Sequence, residues 1–117
     1  MGKVPALVDG DFNIWESGAI LWYLANKYGE MPSDLTVQSK TMQWILFANS
    51  TLANGLFLED RQIQEIPRLL TPLNNILQEN PYIMGEEFTV ADVAISFYLY
   101  AAKIRLLSLV ISNTVLF

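Results

Sequence analysis

The stretch from Phe88 to Arg105 constrains this chain most. Val93, Ala94, Ile95, Phe97, Tyr98, Leu99, Tyr100, Ala101 and Ala102 leave almost no polar side on a helix, and a helix apolar all round belongs in a core. Thr89-Val90-Ala91-Asp92 ahead of it has the form of a capping box, with Asp where Glu is usual, so Thr89 and Asp92 are read as structural. Phe88 before the cap and Val93 after it are placed to form a hydrophobic staple. Lys103 and Arg105 interrupt the apolar run, and a capped start fits a soluble core rather than a membrane span. Tyr98 and Tyr100 are candidates to face a substrate pocket, with core packing the expectation.

Other helices are available to surround it. Ser33-Asp34 offers an N-cap for a long helix from about Leu35 to Phe57. On it, Met42, Ile45, Leu46, Leu52 and Leu56 share one face, while Trp44 and Phe47 lie on another. Asn54 and Gly55 loosen its end. Asn49-Ser50-Thr51 has the form of a glycosylation sequon, read here as a helical coincidence. Glu59-Asp60 opens the next helix, where Ile63, Ile66, Leu69, Leu70, Leu73, Ile76 and Leu77 form an apolar stripe. Pro67 and Pro72 fall inside that stripe, which predicts either a start at Pro67 or an irregularity between the two. Asn80-Pro81 ends it.

The N-terminal end carries the chemistry. Val4 to Val8 reads as a strand, Asp9-Gly10 as a hairpin signal, and Phe12 to Trp15 as a second short strand. Glu16-Ser17-Gly18 then opens a helix to Tyr28, with Ala19, Ile20, Tyr23, Leu24 and Tyr28 on one face. Gly29 stops it in a left-handed conformation, and Lys27 suits the negative end of its dipole. Glu30-Met31-Pro32 reads as a linker. The first amides of a helix lack intrahelical partners and carry partial positive charge. Ser17 adds a hydroxyl and Glu16 a neighbouring carboxylate. A carboxylate on the Ser17 and Gly18 N–H groups, with an ammonium on Glu16, describes the head group of an α-amino acid. Trp15, Trp22 and Trp44 are read as packing or interface residues, and Lys3 as an exposed strand lysine.

Composition narrows the classes. At 117 residues and 52% hydrophobic, the chain can build one ordinary core. A net charge of -5 argues against a nucleic-acid or acidic-membrane surface. With no Cys and no His there is no disulfide, thiolate nucleophile, imidazole base or typical metal site. No basic-then-apolar leader opens the chain, so the expected setting is cytoplasmic.

Two blocks carry a family resemblance. Val4-Pro5-Ala6-Leu7, Asp9-Gly10, Glu16-Ser17 and Ala19-Ile20…Tyr23-Leu24…Tyr28-Gly29 resemble the end of a glutathione transferase N-terminal domain. Pro81-Tyr82-Ile83-Met84-Gly85 and Thr89-Val90-Ala91-Asp92 resemble the C-terminal domain of the same family. The resemblance runs from about Lys3 to Leu106. It implies a mainly α fold, an all-helical bundle of the transferase C-terminal type preceded by the β-hairpin and helix of a partial thioredoxin-like domain. The implied division is 1–31 thioredoxin-like, 32–106 helical, and 107–117 a divergent apolar tail with a β-prone, aggregation-prone profile.

The resemblance further implies that Pro5 is cis, that Val4 gives backbone hydrogen bonds to the cysteinyl part of glutathione, and that Glu16 and Ser17 hold its γ-glutamyl head. It implies glutathione as co-substrate with no other cofactor, and a homodimer. The thiol-activating residue belongs to the first half of the thioredoxin-like domain, so no catalytic residue is assigned here. Two other classes stand beside a glutathione-dependent transferase. One is a non-catalytic interaction module of the kind found in translation assemblies, and the other is a product without activity.

Overall fold

The computed structural model describes the backbone of residues 4–57 and 62–115, and the side chains of 4–56 and 66–103. The fold is a short hairpin followed by helices. Strands β1 (Ala6–Asp9) and β2 (Phe12–Trp15) pair antiparallel, with Ala6 opposite Trp15 and Asp9 opposite Phe12. The two-residue loop is therefore Gly10-Asp11, one position later than the Asp9-Gly10 signal suggests, and Gly10 takes φ 62° as such loops require. Two paired strands alone are marginal. Helix α1 (Ser17–Lys27) follows directly and packs against both strands and the later helices.

Helix α1 stops where the sequence places the stop. The Glu30 N–H donates to the Ala25 carbonyl at 2.8 Å and the Gly29 N–H to the Asn26 carbonyl at 3.3 Å, with Gly29 at φ 74°. That is a Schellman closure, and it needs a residue that accepts positive φ. Helix α2 (Leu35–Leu46) starts under Asp34, whose carboxylate accepts the Val37 N–H at 3.0 Å.

The long helix expected over Leu35 to Phe57 is three segments end to end. Helix α2 passes into a π-helical turn, Phe47–Leu52, which passes into α3 (Ala53–Phe57). Ile45, Ala48, Leu52 and Leu56 are buried on the inner face, but Leu46, assigned to that face by spacing, is 60% exposed. Trp44 and Phe47 meet edge-on, 5.6 Å apart, and pack against the same core.

Helix α4 (Gln62–Glu79) runs through both prolines. No start at Pro67 and no break between Pro67 and Pro72 is present. Both prolines are exposed, while Ile66, Leu69, Leu70, Leu73 and Ile76 face the core. Proline removes a hydrogen bond wherever it falls, but on the solvent side the freed backbone can be hydrated, and the apolar stripe keeps the helix in place. Leu77 is exposed rather than part of the stripe. Glu59-Asp60 and Ile63 lie outside the described side chains.

Helix α5 (Val90–Val115) is the centre, as its composition requires, but only one side of it is buried. Ala91, Ala94 and Ile95 are at most 3% exposed, whereas Val93 is 38%, Phe97 67% and Tyr100 67% exposed. Burial all round is therefore overturned within the described residues: the second apolar face lines a cleft instead. The backbone stays helical to Val115 where β-prone residues suggest otherwise, because a helix already running adds each residue at little cost.

The start of α5 is tightly held. The Asp92 carboxylate accepts the Thr89 N–H at 2.8 Å with one oxygen and the Ile83 N–H at 2.8 Å with the other. The Thr89 hydroxyl accepts the Ala91 N–H at 3.2 Å. Phe88 packs its ring edge-on to Tyr82, 5.7 Å away, so its aromatic partner comes from the preceding turn, not from the helix.

Candidate functional site

Hairpin, α1, the π-helical turn and α5 enclose one open cleft of about 910 Å³. The hairpin contributes Val4, Pro5, Ala6 and Trp15. The corner and α1 contribute Glu16, Ser17, Ile20 and Leu21, and the far wall is Asn49 with Val93, Ala94, Phe97 and Tyr98. Polar groups are gathered near Ser17, and the α5 side is apolar and aromatic. Such a combination orients a ligand at one end and buries it at the other.

Val4 and Pro5 stand at the mouth, joined by a cis peptide bond, with Val4 93% exposed. Glu16 is exposed and has φ 73° and ψ 118°, an uncommon conformation for a side-chain-bearing residue, while its carbonyl accepts the Ile20 N–H at 2.9 Å. Backbone strain of this kind costs about 1–3 kcal/mol and gathers at functional sites. It carries the chain out of β2 and straight into α1, so the first amides of α1 open beside the Ser17 side chain. The four sequence-assigned residues, Val4, Pro5, Glu16 and Ser17, all line this cleft.

Behind Ser17 lies a polar chain that spacing does not disclose. The Asn49 side-chain amide donates to Ser17 Oγ at 3.0 Å, and the Tyr98 hydroxyl donates to Asn49 Oδ1 at 2.9 Å. Asn49 is half-buried with both ends of its amide engaged, so the sequon has no free side chain to offer. Tyr98 packs against the core as expected and also lines the cleft, whereas Tyr100 is exposed. Close approach is possible because Gly18 has no side chain: a Cβ there would lie 2.8 Å from Ile45 Cγ2 and 3.0 Å from Asn49 Nδ2. Only that glycine, next to Ser17, could have hinted at the contact.

A second polar cluster ties the other end of α1 to the hairpin. Asp9 accepts from the Tyr23 hydroxyl at 2.6 Å and pairs with Lys27. The hydrogen bond from Lys27 and then that from Tyr23 hold the Asp9 carboxyl below its ordinary range. The same contact with Asp9 pushes Lys27 and Tyr23 upward. Lys27 also sits 5.9 Å from the Tyr23 ring centre and 5.8 Å from that of Tyr28. This cluster is on the surface, away from the cleft lining.

Comparison with known proteins agrees with this architecture. Residues 1–26 match the family model for the glutathione S-transferase N-terminal domain, and residues 38–113 match that for the C-terminal domain. The second match continues past Leu106, where the motif resemblance ends. The chain is 34% identical over 113 residues to the disulfide-bond oxidoreductase YghU of Escherichia coli, covering 80% of this chain and 39% of that protein. It is 32% identical to glutathione S-transferase 1 of Schizosaccharomyces pombe, covering 80% and 51%. A crystal structure of a glutathione transferase family member from Pseudomonas fluorescens, with two glutathione molecules bound, superposes with a TM-score of 0.73 at 29% identity, covering 86% of this chain and 55% of the other. The chain spans about half the length of the relatives it matches. Among the described residues, no helix is long and apolar enough to cross a membrane. With a C-terminal domain match over most of its length and the hairpin-to-helix corner of the N-terminal domain ahead of it, the chain belongs to the glutathione S-transferase family.

Proposed function

We propose that the corner at Glu16 and Ser17 holds the γ-glutamyl head of glutathione, as the co-substrate of a transferase. The observation that carries the reading is the convergence of an exposed carboxylate, a hydroxyl and the bare amides of a helix start on the rim of one cleft. A zwitterion needs donors for its carboxylate and an anion for its ammonium, and both sit within one residue of each other. Val4, next to Pro5 at the mouth, would meet the cysteinyl backbone. The apolar wall of Val93 and Phe97 would lie toward the electrophile. Solved relatives whose crystals contain glutathione support the same ligand.

In this proposal the thiol becomes a thiolate and attacks an electrophile, with a hydroxyl donor lowering its pKa. No residue of this chain is assigned that step. The division near Met31–Pro32 into a glutathione-holding part and a helical part belongs to the same proposal, as does a cytosolic setting. Retention on immobilised glutathione, followed by calorimetric titration, tests the binding. Glu16→Gln and Ser17→Ala are each expected to weaken it by about tenfold. Equal retention of the double variant and the wild-type chain would remove the corner from the account. Turnover of a model electrophile is expected at the background rate, and clear turnover would show that the chain contains its own thiol-activating group.

A further inference from the structure

We propose that Asn49 and Tyr98 are positioning residues that turn the Ser17 hydroxyl into a donor aimed at the carboxylate of the bound ligand. The inference rests on the glutathione reading and deepens it. A serine hydroxyl has one hydrogen and two acceptor sites, so it can serve a ligand as donor or acceptor. A carboxylate only accepts. Ser17 is therefore useful to it only if its hydrogen points into the cleft and its oxygen is satisfied from behind.

The geometry supplies that arrangement. Asn49 Nδ2 donates to Ser17 Oγ at 3.0 Å, and an amide N–H cannot take the serine hydrogen in return. In the fold the Asn49 amide places its oxygen on the α5 side, where Oδ1 accepts from the Tyr98 hydroxyl at 2.9 Å, and its N–H groups on the α1 side, toward Ser17. Hydrogen bonds then run in one sense from Tyr98 through Asn49 to Ser17, and each polarises the next. All three side chains are half-buried, where such polarisation is screened less than at the surface.

Two features of the backbone serve this chain of contacts. Asn49 lies in the π-helical turn Phe47–Leu52, and π-helical turns recur at functional sites. Gly18 leaves the space that the Asn49 amide needs to reach its neighbour Ser17. Both let a side chain from the helical body reach the start of α1.

Calorimetric titration of the purified chain with two ligands tests the proposal: glutathione, and its analogue with the γ-glutamyl α-carboxylate replaced by a carboxamide. Asn49→Asp has no N–H to give and would draw the Ser17 hydrogen toward itself. It is expected to weaken glutathione by about tenfold relative to the analogue. Asn49→Ala should shift the ratio in the same direction, and Tyr98→Phe by a smaller factor, with circular dichroism unchanged for the latter. A merely structural role would weaken both ligands alike and leave the ratio unmoved. If Ser17→Ala weakens glutathione while the Asn49 and Tyr98 variants keep the wild-type ratio, the relay is wrong and the glutathione reading stands. If the wild-type chain binds no glutathione, both fall.

Discussion

The two ends of helix α1 are fastened by polar triads of opposite character. At its C-terminal end, half-buried Asp9 and Tyr23 form a charged cluster with the exposed Lys27, whose ion pair with Asp9 is open to solvent. At its N-terminal end, Ser17, Asn49 and Tyr98 form a neutral, half-buried cluster facing the cleft. Charge alone would rank the first as the stronger. Solvent reverses the order. Exposed ion pairs are screened and give back most of their attraction in hydration and side-chain entropy. A half-buried neutral network loses less to water and leaves unsatisfied groups behind when it is broken. The surface cluster therefore trims the approach of hairpin to helix, and the neutral one fixes where the helix start stands against the helical body.

A third cluster separates charge from burial. Asp92 is charged and partly buried, and it satisfies two backbone N–H groups, those of Ile83 and Thr89. If burial decides the ranking, Asp92→Ala should be the most costly substitution among these three clusters, about 2–4 kcal/mol by urea unfolding. A loss no larger than that of the surface pair would break the comparison.

Next in size is Gly18→Ala. The added methyl enters the contact between α1, Ile45 and the Asn49 amide, and overpacking of this kind costs about 1–3 kcal/mol. Its thermal midpoint should fall and its glutathione retention with it, although alanine keeps the Gly18 backbone N–H that the ligand carboxylate would meet.

Tyr98→Phe removes the hydrogen bond to Asn49 and keeps the ring, for about 1 kcal/mol of stability. In 1 M salt that loss should be unchanged, since none of the three groups is charged; a salt-sensitive loss would place a charge in the network.

The smallest effect is expected from Asp9→Asn, and it should be the one that depends on pH. Asp9 is held below its ordinary 3.8, so its contribution is complete above that value and disappears as pH falls through the lowered one. Lys27 is held above its ordinary 10.5, so its contribution is complete below that value and disappears as pH rises through the raised one. Melting curves of wild type and Asp9→Asn should therefore differ between those limits, converge in acid, and converge at neutral pH in high salt.

Several residues that line the cleft could be singled out before the structure. Glu16 and Ser17 could be placed at a helix start because a hairpin signal and an apolar face frame them, and Val4-Pro5 came with the family resemblance. Asn49 was not legible as part of it. Its local context, a polar residue inside a helix followed by Ser50 and Thr51, is that of any exposed turn. Its meaning comes from Ser17 and Tyr98, which are 32 and 49 residues away along the chain. Phe97 and Val93 were misread for a related reason. Periodicity reports that a face is apolar, but not whether a neighbour or a cleft lies against it.

What the sequence determined by itself is local. Asp34 begins α2, Gly29 closes α1, and Thr89 with Asp92 begins α5, because each of these depends on atoms within a few residues of chain. Tertiary structure alone decided which face of α5 is buried, that α2 opens into a π-helical turn, and that Asn49 stands behind Ser17. Those outcomes depend on which surfaces meet once the helices pack, and two side chains distant in sequence have no energy in common until the fold brings them within hydrogen-bonding distance.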